Sequence, residues 1–176
     1  LNPQRAPSAA EWLARVSTID LSVALTQNAD EPQAELLARE IVASRSVAPI
    51  TRTGQLADLV RTILRRHSRR RDPEADDDCV RRVFQAIRIA VNDEFGALEM
   101  FLRSLPECIN AGGRIAVLSF HSGEDRRVKK AFQIGERSGI YARVAPDAIR
   151  ASFDERRANP RSTSAKLRWA VAPGGD

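Results

Sequence analysis

A chain of 176 residues has room for one domain, or for one domain and part of a second, and 43% apolar residues are enough for a packed core. It has no run of about 18 apolar residues, which excludes a membrane-spanning helix. Cys79 and Cys108 lack CxxC spacing and histidine partners, which argues against a zinc site or disulfide framework and for a reduced cytosolic protein. The net charge of +5 suits a polyanionic partner, since Lys and Arg neutralise phosphates, and equally suits a solvated arginine-rich surface.

In chain order, the first 64 residues predict short helices and no strand. Ser8 and Glu11 have capping-box spacing ahead of Trp12, Leu13 and Val16. Residues 20–25 form a second helical pattern, and NADEP (28–32) a turn. Leu36, Leu37, Ile41 and Val42 lie at helical spacing within 33–45, and Thr53 can cap a helix carrying Leu56, Leu59, Val60 and Ile63. Residues 65–78, RRHSRRR and then DPEADDD, predict an exposed linker because they lack an apolar stripe and contain Pro73. Its arginines suit a phosphate-contacting loop or a solvated connector.

The helical pattern returns with Val80, Val83, Phe84, Ile87 and Val91, and resumes with Phe95, Leu98, Phe101, Leu102 and Leu105. Asn92-Asp93-Glu94 interrupts the stripe and predicts a break between two helices. Cys108 lies in an apolar pattern and is expected in the core. Gly112-Gly113 then turns the chain into an unbroken Ile115-Ala116-Val117-Leu118 run, the pattern of a parallel strand covered on both faces. Ser122 and Asp125 have capping-box spacing at the start of a further helix. Strands are predicted at 140–145 and at 165–172, where Leu167, Trp169 and Val171 alternate. The order points to an α/β sheet. Ligand sites of such sheets lie beyond the carboxyl ends of parallel strands, which is where Ser119, Phe120, His121 and Ser122 stand.

Residues 112–132, GGRIAVLSFHSGEDRRVKKAF, resemble the GGR-[LI]-A-V-[IL]-SFHS-x-EDR-x-VK signature of the MraW family of small-subunit ribosomal RNA methyltransferases. SAAEWL (8–13), PITRTGQLADLV (49–60), FQAIRIAVNDEFGALE (84–99) and NPRSTSAKLR (159–168) resemble further family segments, in the family's order. The family usually has Leu where this chain has Gly123. The family's HPAT-R stretch appears as DDDCVRR, and the segment from Phe132 to Asn159 is short. The family's glycine-rich DATLGGGGH-like loop, which holds S-adenosylmethionine, has no counterpart here, and the glycine pairs are 112–113 and 174–175.

The resemblance implies the carboxyl-terminal portion of such an enzyme, and the Leu1 start fits the back part of a longer protein. Residues 1–78 would be an inserted helical substrate-recognition domain ending in the linker 65–78. Residues 79–176 would supply the last three strands of a Rossmann-like class I methyltransferase domain. The implied reaction moves a methyl group from S-adenosylmethionine to N4 of a cytosine in the 16S rRNA of the small ribosomal subunit. It implies a cytoplasmic protein with no metal and no membrane, and leaves a homodimer open. No cofactor-binding residue is expected in this portion, which by itself is expected to be inactive.

The candidate pocket residues are Ser119, Phe120, His121 and Ser122, with Phe120 against the base. Asn92 and Asp93 are candidate acceptors for the amine, or helix caps. Arg88, Arg126, Lys129, Lys130, Arg161, Ser162, Ser164 and Lys166 are candidate RNA contacts. The alternatives are a non-catalytic basic RNA-binding module and an amino-methyltransferase acting on DNA or protein.

Overall fold

The structure, a computed structural model, describes residues 7–67 and 72–174. These form two compact units, 1–94 and 95–176.

The first unit is all helical: α1 (Ala9–Arg15), α2 (Thr18–Ala29), α3 (Ala34–Ser44), α4 (Thr53–His67) and α5 (Pro73–Asn92). The predicted capping box at Ser8 and Glu11 forms, and Ser17 caps α2 in the same way through the Asp20 amide. One face of each helix enters a common core containing Leu13, Leu21, Leu37, Val60 and Val83. Burying side chains of this size stabilises by about 1.5–3 kcal/mol each. Beneath that core, Glu31 is wholly buried and accepts from Arg82 Nε at 2.7 Å, tying the α2–α3 turn to α5. Burial, with the Glu31 carboxylate beside it, pushes the Cys79 thiol up to about 12.

The expected linker at 65–78 is corrected on both sides. Helix α4 continues through His67, and α5 begins at Pro73; residues 68–71, which carry three of the five arginines, lie outside the described residues. Proline suits a first helical position, where its missing N–H has no intrahelical role. Asp72 caps the helix by accepting from the Ala75 amide, and Glu74 and Asp76 lie at the positive end of its dipole. Acidic residues that resemble a linker in composition are here a helix start. At its other end α5 stops where expected, with Asp93 in the left-handed region at φ 48°.

In the second unit, α6 (Glu94–Ser104) leads through a 3₁₀ turn at Leu105–Cys108 into β1 (Arg114–Ser119) and α7 (Ser122–Arg137). Two-residue strands β2 (Arg143–Val144) and β3 (Ile149–Arg150), the short helix α8 (Phe153–Ala158), a 3₁₀ turn at Pro160–Ser164 and β4 (Lys166–Val171) follow. Strand β4 is central, and β1, β2 and β3 all pair with it antiparallel. Four short strands therefore replace the three predicted, and the parallel pairing expected of β1 is replaced by an antiparallel one.

The two faces of the sheet differ in burial. The register places Ile115 beside Ala170, Val117 beside Arg168 and Ser119 beside Lys166, and this face packs under α7. On the opposite face Ala116 and Leu118 of β1 are exposed, Leu118 at 53%, while Leu167 and Trp169 of β4 are half-buried. The alternation Leu167, Trp169, Val171 thus marks the less buried face, while Arg168 and Ala170 are buried. Cys108 is corrected too: the 3₁₀ turn breaks the phase of the α6 stripe and leaves the thiol exposed. Gly135 lets α7 approach closely, because a Cβ there would occupy the Tyr141 ring, which packs edge-on against Phe132.

Candidate functional site

The turn from β1 into α7 holds Ser119, Phe120, His121 and Ser122. His121, rather than the predicted Ser122, caps the helix: its Nδ1 accepts from the Glu124 amide at 3.4 Å. Glu124 reaches back, accepting from the Phe120 amide through Oε2 at 3.0 Å and placing Oε1 3.3 Å from His121 Nε2. The Ser119 hydroxyl is buried and donates to the Lys166 carbonyl at 3.3 Å. Phe120, half exposed, and Ser122 are the outward members.

Behind the turn, Arg127 lies 3.4 Å above the Phe95 ring centroid and donates to Gly123 O and Glu99 Oε1, both at 3.1 Å. Phe95 in turn packs against the His121 ring at 5.7 Å. A cation over an aromatic face is worth about 0.5–2 kcal/mol. These contacts fix the imidazole from the rear.

Below the turn is a buried ion cluster. Arg168 donates to Asp125 through Nε at 2.6 Å and through a terminal nitrogen at 3.2 Å, and Lys166 Nζ lies 3.4 Å from the same carboxylate. Asp125 and Arg168 are 8% and 7% exposed. Burial alone would raise the Asp125 pKa, but the hydrogen bonds and charge of Arg168, with those of Lys166, outweigh it and hold the carboxyl below its ordinary value. The cluster joins the first turn of α7 to the central strand, so the SFHS turn and the SAKLR segment, 40 or so residues apart, are fastened together. Sequence reasoning missed Asp125 and Arg168 as a pair. No sequence signal marked the pair, because the alternation of Leu167, Trp169 and Val171 assigns Arg168 to the outward face.

The remaining candidates are dispersed. Arg88 donates twice to Glu94, at 2.9 and 3.0 Å, and Asn92 Nδ2 donates to the same carboxylate at 3.1 Å. Arg88 and Asn92 also line a pocket of about 340 Å³ in the first unit, floored by Leu56, Phe84 and Ile87. Asp93 terminates α5. Arg126, Lys129 and Lys130 are exposed on α7. Arg161 and Ser164 are exposed on the Pro160–Ser164 turn, while Ser162 is buried and donates to Asn159 O at 2.8 Å. Lys166 faces Asp125.

A family model described as the MraW methylase family matches residues 1–172. The chain belongs to the MraW methylase family. A ribosomal RNA small subunit methyltransferase H 1 from Lachnoclostridium phytofermentans is 43% identical over 172 residues, covering 97% of this chain and 47% of that protein. A methyltransferase H 2 from Alkaliphilus metalliredigens is 45% identical over 174 residues, 97% of this chain and 49% of that protein. In Acidithiobacillus ferrooxidans the corresponding methyltransferase H is 40% identical over 183 residues, 97% of this chain and 55% of that protein. The chain spans about half the length of the curated relatives it matches. A mixed helix and strand architecture with a small antiparallel sheet is consistent with the carboxyl-terminal part of a methyltransferase.

S-adenosylmethionine, implied by the family, does not fit the described residues of this turn by themselves. The Ser119 hydroxyl, the His121 Nδ1 and the Phe120 and Glu124 amides are turned onto protein partners rather than into a cradle. The residues among which they lie form a packed support, with one aromatic ring presented outward.

Proposed function

We propose that these residues belong to an S-adenosylmethionine-dependent methyltransferase that modifies N4 of a cytosine in the 16S rRNA of the small ribosomal subunit, in the cytoplasm. The single observation that carries this reading is the fastening of the SFHS turn to the SAKLR strand through buried Asp125 and Arg168, two family motifs held as one body. The relatives at 41–45% identity, named as ribosomal RNA methyltransferases, support the substrate class.

An exocyclic amine is a weak nucleophile because its lone pair is delocalised into the ring. The protein's task is to withdraw the base from its stack and orient the amine. In this reading Phe120 packs on the withdrawn base, and Ser119, His121 and Ser122 form the wall around it. Asn92 and Asp93 are acceptors toward the amine. Arg88, Arg126, Lys129, Lys130, Arg161, Ser162, Ser164 and Lys166 lie along the RNA path. Residues 1–78 are the substrate-recognition insert, and 79–176 are the carboxyl-terminal half of a Rossmann-like methyltransferase domain. The chain's coverage of about half of each relative is compatible with a cofactor loop carried elsewhere in such an enzyme. The sheet face bearing exposed Leu118 is then where the rest of the enzyme packs.

The test is mass spectrometry of rRNA from small subunits incubated with the full-length protein and S-adenosylmethionine. N4-methylcytidine is expected, and Phe120→Ala should lower its yield at least about tenfold, since base–aromatic stacking contributes about 1–3 kcal/mol. Methylation of duplex DNA or of protein, with none on the subunit, would overturn the reading.

A further inference from the structure

A second concavity in the 95–176 unit is distinct from the SFHS turn. Between α6 and α7 lies a groove of about 480 Å³ whose floor includes Leu102, Ala131 and Tyr141. Ile134 and Ile140 flank it, and both are about half exposed. Each helix contributes a cation to its lining: Arg103 from α6 and Lys130 from α7. Neither has an ion pair among the described residues. Arg127 and Glu99 also line the groove but pair with each other at 3.1 Å, so the two uncompensated charges are positive. The volume lies in the range of pockets that hold a small molecule or a nucleotide, about 300–1,000 Å³.

We propose that this groove holds an unpaired nucleotide of a single-stranded RNA segment, with its base against the apolar floor and its flanking phosphates at Arg103 and Lys130. The assignment rests on the RNA substrate class proposed above and adds a second anchoring point to it. Apolar side chains such as Ile134 and Ile140 offer a flipped-out base a surface that does not depend on its sequence, and two cations on separate helices suit successive phosphates. An acidic peptide is the competing occupant. The uncompensated rim of two charges, the nucleotide-sized volume and the chain's net charge of +5 favour RNA.

The test titrates the full chain into a fluorescein-labelled single-stranded oligonucleotide of small-subunit rRNA sequence, followed by anisotropy at several salt concentrations. Each phosphate contact on a single strand contributes about 0.7 to the slope of log affinity against log salt. Replacing both cations, as Arg103→Glu with Lys130→Glu, should therefore lower that slope by about 1.4 and weaken binding at least about tenfold. Arg103→Gln with Lys130→Gln should give the same slope change with a smaller loss, guarding against a folding defect of the reversed variant. Ile134→Ala with Ile140→Ala should weaken binding several-fold at an unchanged slope. Both charge variants should keep the parent Tm.

Wild-type affinity and slope in both charge variants would overturn the groove assignment and leave the groove to a peptide partner. If Phe120→Ala still weakens binding in that case, the proposed function stands. No RNA binding by the unaltered chain would overturn the groove assignment, while the proposed function is decided separately by the methylation of small subunits with the full-length protein.

Discussion

At position 123 a Cβ would lie 2.6 Å from Phe95 Cζ, so no residue larger than glycine fits while the phenyl ring holds its place. Phe95 and Gly123 are therefore complementary in volume, the ring filling the space that a side chain at 123 would need. Gly123→Leu should destabilise by about 1–3 kcal/mol through overpacking. Phe95→Leu alone should cost about 1 kcal/mol through the space it leaves. The double variant should recover most of both losses, and urea unfolding of the four proteins gives the coupling directly. Additive losses would show that Phe95 does not fill the space of the missing side chain.

The buried pair sets the other residue-scale expectation. Arg168→Met leaves Asp125 buried without its main partner, which should cost about 3–5 kcal/mol. Because Asp125 is held below its ordinary value of 3.8, its contribution is fully present above that pH and is lost as pH falls through the lower folded value. Tm should therefore fall as the pH drops below about 4, and Asp125→Asn should flatten that part of the profile, as differential scanning calorimetry would record.

Among the elements, α5 shows how a local rule can be hidden by composition. DPEADDD has the charge density of a linker, yet Asp72 as cap, Pro73 at the first position and acids in the first turn start a 20-residue helix. Asp72→Ala should cost about 1 kcal/mol, measured by thermal unfolding. An unchanged Tm would mean that packing of Val80, Val83 and Ile87 alone holds the helix start. In α7 the cap falls one residue before the predicted serine, because the His121 ring reaches the Glu124 amide while its other face packs on Phe95. Sequence spacing offered Ser122 and Asp125, and only the packed ring distinguishes the two frames.

For the whole molecule, each unit has its own apolar core. The second has a sheet face bearing exposed Leu118, and its outer strand β1 pairs on one side only among the described residues. Exposed apolar surface beside an unpaired strand edge favours self-association. Sedimentation velocity of this 176-residue chain should show concentration-dependent oligomers, and Leu118→Lys should shift them toward monomer. A monomer at all concentrations would show that this face is tolerated in water.

Much of this was legible before any coordinates. The first four helices, the break at Asp93, the strand ending at Ser119 and the family itself follow from spacing and motif, since capping, apolar period and motif order are local properties of the chain. Strand direction, the buried face of β4, the exposed Cys108 and the Asp125–Arg168 pair were decided only by tertiary structure. Each depends on which distant segment arrives as a neighbour. An inward arginine in β4 has the same sequence signature as an outward one until the Asp125 carboxylate from α7 meets it.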